Sequence, residues 1–108
     1  MAKSDSLQGA LDLVILKTLL TGPQHGFGIT LHIQNASGGL LKVEEGSLYP
    51  ALHRLERDEL VVADWTTTPN GRRARVYTLT DAGRKRFEEA QDGWLNLTKG
   101  VSRVLRFA

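Results

Sequence analysis

Residues 45–57 read EGSLYPALHRLER, a stretch with helical spacing that carries a proline close to its start. On a helical wheel Leu48, Leu52 and Leu55 fall on one side, with Ala51 beside them. Gly46, Pro50, His53, Arg54 and Arg57 fall on the other, flanked by Ser47 and Tyr49. The first set is a core stripe. The second is a basic, hydrogen-bonding face with little bulk at its N-terminal end. Two placements accommodate Pro50. If Ser47 caps the helix, the proline lies in the first turn, where its N–H would be unpaired anyway. If the helix starts near Glu44, the carbonyl under the ring belongs to Gly46, whose bare backbone relieves the clash more easily. Such a face can enter a DNA major groove, its first turns nearest the base edges. An ordinary solvated face would have the same polarity.

The residues that follow favour the first reading. Residues 60–67 are rich in β-branched and aromatic side chains, and residues 74–79 return as a second strand. Between them Pro69-Asn70-Gly71 is a turn, and Asn-Gly signals a hairpin with a two-residue loop. Arg72, Arg73 and Arg75 crowd its tip with no acid among them. Arginine there can clamp a phosphate or enter a minor groove. Charge that keeps a sheet edge from aggregating is the plainer account, but this tip follows a helix that is itself basic. Trp65, on the first strand, is explained by sheet packing.

Upstream, residues 7–21 read as a helix with Leu7, Ala10, Leu11, Val14, Ile15, Leu16, Leu19 and Leu20 covering more than one face, and Gly22-Pro23 stops it. A second helix begins near His25, spaced by Phe27, Leu31 and either Ile33 or Gln34, and ends at Ser37-Gly38-Gly39. His25 packs at that helix start or contacts a phosphate. Residues 40–43 are extended, and the third helix reaches about Glu59. Downstream, Thr80 or Asp81 caps a helix over residues 82–107. Its apolar positions Phe87, Ala90, Trp94, Leu97, Val101, Val104 and Ala108 alternate steps of three and four, a heptad-like seam for a second copy of the chain. Leu11 of the first helix joins that seam. Trp94 lies midway along it, as interface core. In a symmetric pair it could also border a flat cavity that stacks a planar ligand.

Composition excludes more than it proves. The 108 residues suit a single small domain with a limited core. The net charge of +2 and sequence pI of about 9.2 say little until the charges are placed. Cysteine is absent, so disulfides and thiol chemistry are excluded. The apolar run Leu13-Val14-Ile15-Leu16 is far shorter than the roughly 20 residues a bilayer requires. The start, MAKSDS, has no signal-peptide pattern, so a soluble cytoplasmic protein without membrane partner is expected. His25, His32 and His53 have no metal-ligand spacing, Ser47 has no neighbouring base, and Gly26-Phe27-Gly28 lacks the lysine of a phosphate-binding loop. No enzyme, metal or cofactor is expected.

The quoted pieces are familiar together. Residues 11–16 (LDLVIL), 25–29 (HGFGI), 46–56 (GSLYPALHRLE) and 71–80 (GRRARVYTLT) resemble the PadR family of winged-helix transcriptional regulators in its short form. The resemblance implies a mainly α fold with a β-hairpin wing: residues 1–80 as a winged helix-turn-helix unit and residues 81–108 as a C-terminal dimerisation helix. It implies a homodimer that represses nearby genes and is relieved by a small molecule or another signal. Carried over to this chain, Ser47, Tyr49, Pro50 and His53 face the groove, and Arg72, Arg73 and Arg75 lie on the wing. Two departures stand out. The family often has Tyr where this chain has Phe27. Glu44 and Glu45 precede the recognition helix, where acids suit the helix dipole but repel phosphate. Double-stranded DNA is thus the expected partner, at a near-palindromic site. The alternative is a winged-helix module that binds protein and no DNA.

Overall fold

The computed structural model describes residues 2–107, with side chains described from Gly9 onward. Leu7 and Ala108, named above for their apolar side chains, therefore lie outside the described side chains. The chain runs α1 (Ala2–Leu20), β1 (Gln24–His25), α2 (Gly26–Ala36), α3 (Glu45–Arg57), β2 (Val61–Thr67), β3 (Arg73–Leu79) and α4 (Asp81–Arg106). Among the described residues the fold consists of four helices and a small antiparallel sheet of order β1-β3-β2. The two-residue β1 has no propensity signal of its own. It exists because Gln24 and His25 pass alongside Tyr77 and Val76 of β3.

One core joins every layer. Ile15, Leu16 and Leu19 of α1 meet Ile29 and Ile33 of α2, and Leu48, Ala51, Leu52 and Leu55 of α3, with Leu60, Val61, Tyr77 and Phe87 closing it. The α3 stripe is the one its spacing predicts. In α2 the buried pair is Ile29 and Ile33, whereas Phe27 and Leu31 point outward. Ile33 is thus the one spacing residue that is buried; contact with α1 and α3 selects it together with Ile29.

The helix ends explain the turns between elements. His25 caps α2, its Nδ1 accepting the Gly28 N–H at 3.1 Å. At the other end Gly38 (φ 66°) and Gly39 (φ 83°) donate to Asn35 and Gln34, a left-handed close that glycine makes without strain. α3 ends in the same geometry two residues before the sequence suggests: Glu59 N–H reaches the Glu56 carbonyl and Leu60 N–H reaches the Leu55 carbonyl. Here Glu59 itself adopts φ 61°, held there because Leu55 and Leu60 are both buried on either side of it.

α3 begins at Glu45 with Glu44 as its cap, and Glu44 makes no side-chain capping bond. The Ser47 cap is therefore set aside. Pro50 sits beyond the first turn, and the carbonyl under its ring is that of Gly46, whose missing side chain leaves open space around it.

The hairpin loop is also longer than Asn70-Gly71 suggests. Thr68 N–H donates to the Arg72 carbonyl at 2.7 Å, Gly71 N–H donates to Thr68 at 2.9 Å, and Gly71 has φ 85°. This is a three-residue connection with a left-handed third residue. The difference shifts the register by one: Trp65 pairs with Arg75, where a two-residue loop would have set it opposite Val76.

α4 docks through its first turn. Thr80 accepts the Gly83 N–H at 3.0 Å, and its own N–H and hydroxyl bond the Leu60 and Glu59 carbonyls. Gly83 rests on the Leu60 carbonyl so closely that a Cβ would overlap it. Gly83→Ala is expected to destabilise the chain by about 1–3 kcal/mol in chemical denaturation, because the obstructing atom is backbone and cannot swing aside. A midpoint equal to that of the wild type would show that α4 shifts freely.

Candidate nucleic-acid interface

The face of α3 opposite its core stripe is exposed at Ser47, Tyr49, Pro50, His53 and Arg57. Tyr49 leans back: its ring lies over Gly26, where a Cβ would meet the phenol oxygen at 2.5 Å. Glycine at the start of α2 thus lets the two helices of the helix-turn-helix cross closely. The ring occupies the N-terminal end of the face and leaves His53, one turn on, as the exposed hydrogen-bonding group beside it.

A groove of about 560 Å³ runs between this face and the wing. His25, Tyr49 and His53 line one side, and Trp65, Arg72, Arg73 and Arg75 line the other. The fold therefore brings together residues drawn from four separate elements. His25 both caps α2 and borders the groove. With Nδ1 accepting a hydrogen bond, the neutral ring carries its proton on Nε2.

The arginines do not share one role. Arg54 turns from the outward face to α1, where its guanidinium meets Asp12 at 2.9 Å. Burial raises the Asp12 carboxyl above the ordinary aspartate pKa, while the facing guanidinium pulls it back. Arg75 turns back from the wing to Glu56 of α3, also at 2.9 Å, and lies over Tyr77. Burial raises the Tyr77 phenol, and Arg75 opposes that rise. The Arg75 Nε is buried without a hydrogen-bond partner among the described residues. These two pairs bolt α3 to α1 on one side and to the wing on the other. Arg57 sits beside Asp58 at 3.4 Å with both side chains exposed, a pair that contributes little. Arg72 and Arg73 are exposed, and among the described residues neither pairs with a carboxylate. On α3 and the wing, the positive charge facing outward is therefore concentrated at the wing tip and is smaller than the sequence implies.

Trp65 is not sheet packing. It is 58% exposed, with the Arg73 guanidinium 4.7 Å and the Arg75 guanidinium 5.8 Å from its ring centre. Strand alternation carries the signal that would have found it, since Trp65, Arg73 and Arg75 share one sheet face once the loop length is known.

The expected dimer residues divide similarly. Phe87 is 5% exposed and belongs to the chain's own core, beneath Lys17, so it is unavailable to a seam. Ala90 and Leu11 are half-buried between α4 and α1. Trp94, Leu97, Val101 and Val104 are exposed along α4, which at 26 residues extends about 39 Å and gives the protomer its 58 Å long axis. Trp94 also borders a groove of about 590 Å³ with Leu11, Leu13 and Val14 of α1, Leu41 and Val43, and Ser47 of α3. Among the described residues no helix is long and apolar enough to cross a membrane, and no cluster of His, Asp or Glu is arranged to hold a metal ion.

Comparison with known proteins gives a consistent picture. The sequence model of the transcriptional regulator PadR-like family matches residues 15–89. The chain is 39% identical over 94 residues to the transcriptional regulator Rv3488 of Mycobacterium tuberculosis, covering 87% of this chain and 84% of that protein. A PadR-like transcription factor from Bacteroides fragilis superposes with a TM-score of 0.78 at 30% identity, covering 95% of this chain and 97% of that one. A transcriptional regulator from Clostridium thermocellum superposes with a TM-score of 0.82 at 27% identity, covering 95% and 99%.

Proposed function

From the premise that this chain belongs to the PadR-like family of transcriptional regulators, we propose that it binds duplex DNA as a twofold dimer and represses transcription. Residues 1–80 form the DNA-binding unit and residues 81–108 the dimerisation helix. The observation that carries this reading is the groove between α3 and the wing, with exposed Tyr49 and His53 facing unneutralised Arg72 and Arg73. Ser47, Tyr49, Pro50 and His53 meet base edges. Arg57, Arg72 and Arg73 hold phosphates and set the register. Arg54 and Arg75 support the interface from behind through Asp12 and Glu56.

The exposed apolar stripe of α4 supports pairing of two copies. Two copies related by a twofold axis would place recognition helices about 34 Å apart, one turn of DNA. An effector would enter the groove beside Trp94. Because Ser47 lines that groove too, an occupant touches α1 and the N-terminal end of α3 together. It shifts DNA affinity only insofar as it binds one helix arrangement better than the other.

Selection of bound sequences from a random DNA pool tests the reading. The expected product is an inverted repeat with half-sites about one helical turn apart, bound with an affinity that falls as salt rises. A pool that never enriches, with no retention of any duplex in dilute buffer, would return the chain to the protein-binding alternative.

A further inference from the structure

We propose that Trp65 is a positioning residue of the wing: its indole holds the Arg73 guanidinium flat against the ring, edge outward, ready for a phosphate. This deepens the DNA-binding reading above and rests on it. The Arg73 guanidinium carbon lies 4.7 Å from the centre of the Trp65 ring. Register puts Trp65 directly across from Arg75, and Thr67 across from Arg73, so Arg73 reaches the ring diagonally along one sheet face. β2 is an outer strand of the sheet, and the ring stays 58% exposed, so the stack sits at the surface beside the groove.

Stacking suits an arginine that must hold a phosphate. The flat faces of a guanidinium make no hydrogen bonds; its N–H groups all lie in the plane. A ring laid on one face leaves that rim free for bidentate contact with phosphate oxygens. It also removes rotamer freedom that a loose arginine would lose on binding. Charge makes the ring necessary. Arg73 and Arg75 both approach it, at 4.7 and 5.8 Å, and two guanidiniums so near one another repel. Glu56 neutralises Arg75 at 2.9 Å, and the negative face of the indole favours the cation that remains. Arg72 has neither support: among the described residues it has no acid partner and no ring contact. The tip thus holds one stacked cation and one that, among the described residues, has no ring beneath it.

The test is a double-mutant cycle on the full chain, read by anisotropy with a labelled mixed-sequence duplex in dilute buffer. Trp65→Ala is expected to weaken binding by about fivefold and Arg73→Ala, which removes two cations from a dimer, by about thirtyfold. The double variant should bind like Arg73→Ala alone, and Trp65→Phe should recover most of the loss. In the free protein, Arg73 side-chain protons should show an upfield ring-current shift by NMR that Trp65→Ala abolishes. Additive losses, an unaffected Trp65→Ala, or an unshifted Arg73 in a wild type that does bind DNA would each overturn the inference alone. A wild type that binds no duplex would overturn the DNA reading and this inference with it. Trp65→Phe guards against misfolding, since it keeps an aromatic ring at the site.

Discussion

Replacing Arg72 and Arg73 together with Ala is expected to weaken binding to all duplexes by a similar factor and to flatten its dependence on salt. Both side chains are exposed at the wing tip, and neither is neutralised by an acid among the described residues. A cation in that state contributes by displacing counterions from phosphate, which carries no sequence information. In a dimer the double substitution removes four cations. At about 0.9 per phosphate contact, the slope of log affinity against log salt should become shallower by about 3.6. Four charge-assisted contacts at roughly 1 kcal/mol each put the loss on the order of a thousandfold. His53→Ala should behave differently, weakening the selected sequence far more than a scrambled one. Arg54→Ala provides a contrast of another kind: its partner Asp12 sits on α1, so its removal should lower stability before it alters the salt slope. An unchanged slope for the Arg72/Arg73 variant would remove the wing from the DNA interface.

Placing a charge on the α4 stripe should separate the proposed dimer. Trp94, Leu97, Val101 and Val104 form one exposed apolar row, and Gly93 and Gly100 lie within the continuous helix that carries it. Glycine costs a helix interior up to ~1 kcal/mol each relative to alanine, so the second half of α4 depends on packing for its stability. Leu97→Glu or Trp94→Glu would bury a carboxylate in that seam without a partner, at a cost of several kcal/mol. Light scattering should then report 11.9 kDa, the mass of one chain, where the proposed wild-type dimer should give twice that value. DNA affinity should fall with it, because each monomer then holds a single half-site. Leu40→Glu is a control of equal charge, at a residue 87% exposed on the linker before α3. A variant that keeps the wild-type mass would refute the seam.

The two results bear on different parts of the molecule, and they differ in how far the sequence anticipates them. The α4 stripe is legible because its steps of three and four are local, and nothing distant alters which residues share a helix face. The same holds for Leu48, Ala51, Leu52 and Leu55 of α3, which are buried as their spacing predicts. Phe87 has the correct spacing for the seam but belongs to the core, because α4 first crosses α1 before leaving the domain. Periodicity identifies a face but not the neighbour that covers it. β1 and the loop length escaped for a related reason: the first depends on a strand some fifty residues away, and the second on one left-handed glycine.

The sequence by itself determined the helix faces, the position of the wing and the density of arginine at its tip, since each depends on residues within a few positions of one another. Only the tertiary structure decided which arginines of α3 and the wing stay free of an acid partner. Arg54 pairs with an acid 42 residues away and Arg75 with one 19 residues away. Charge acts through space, so its neutralisation depends on where the fold brings an acid and a base together.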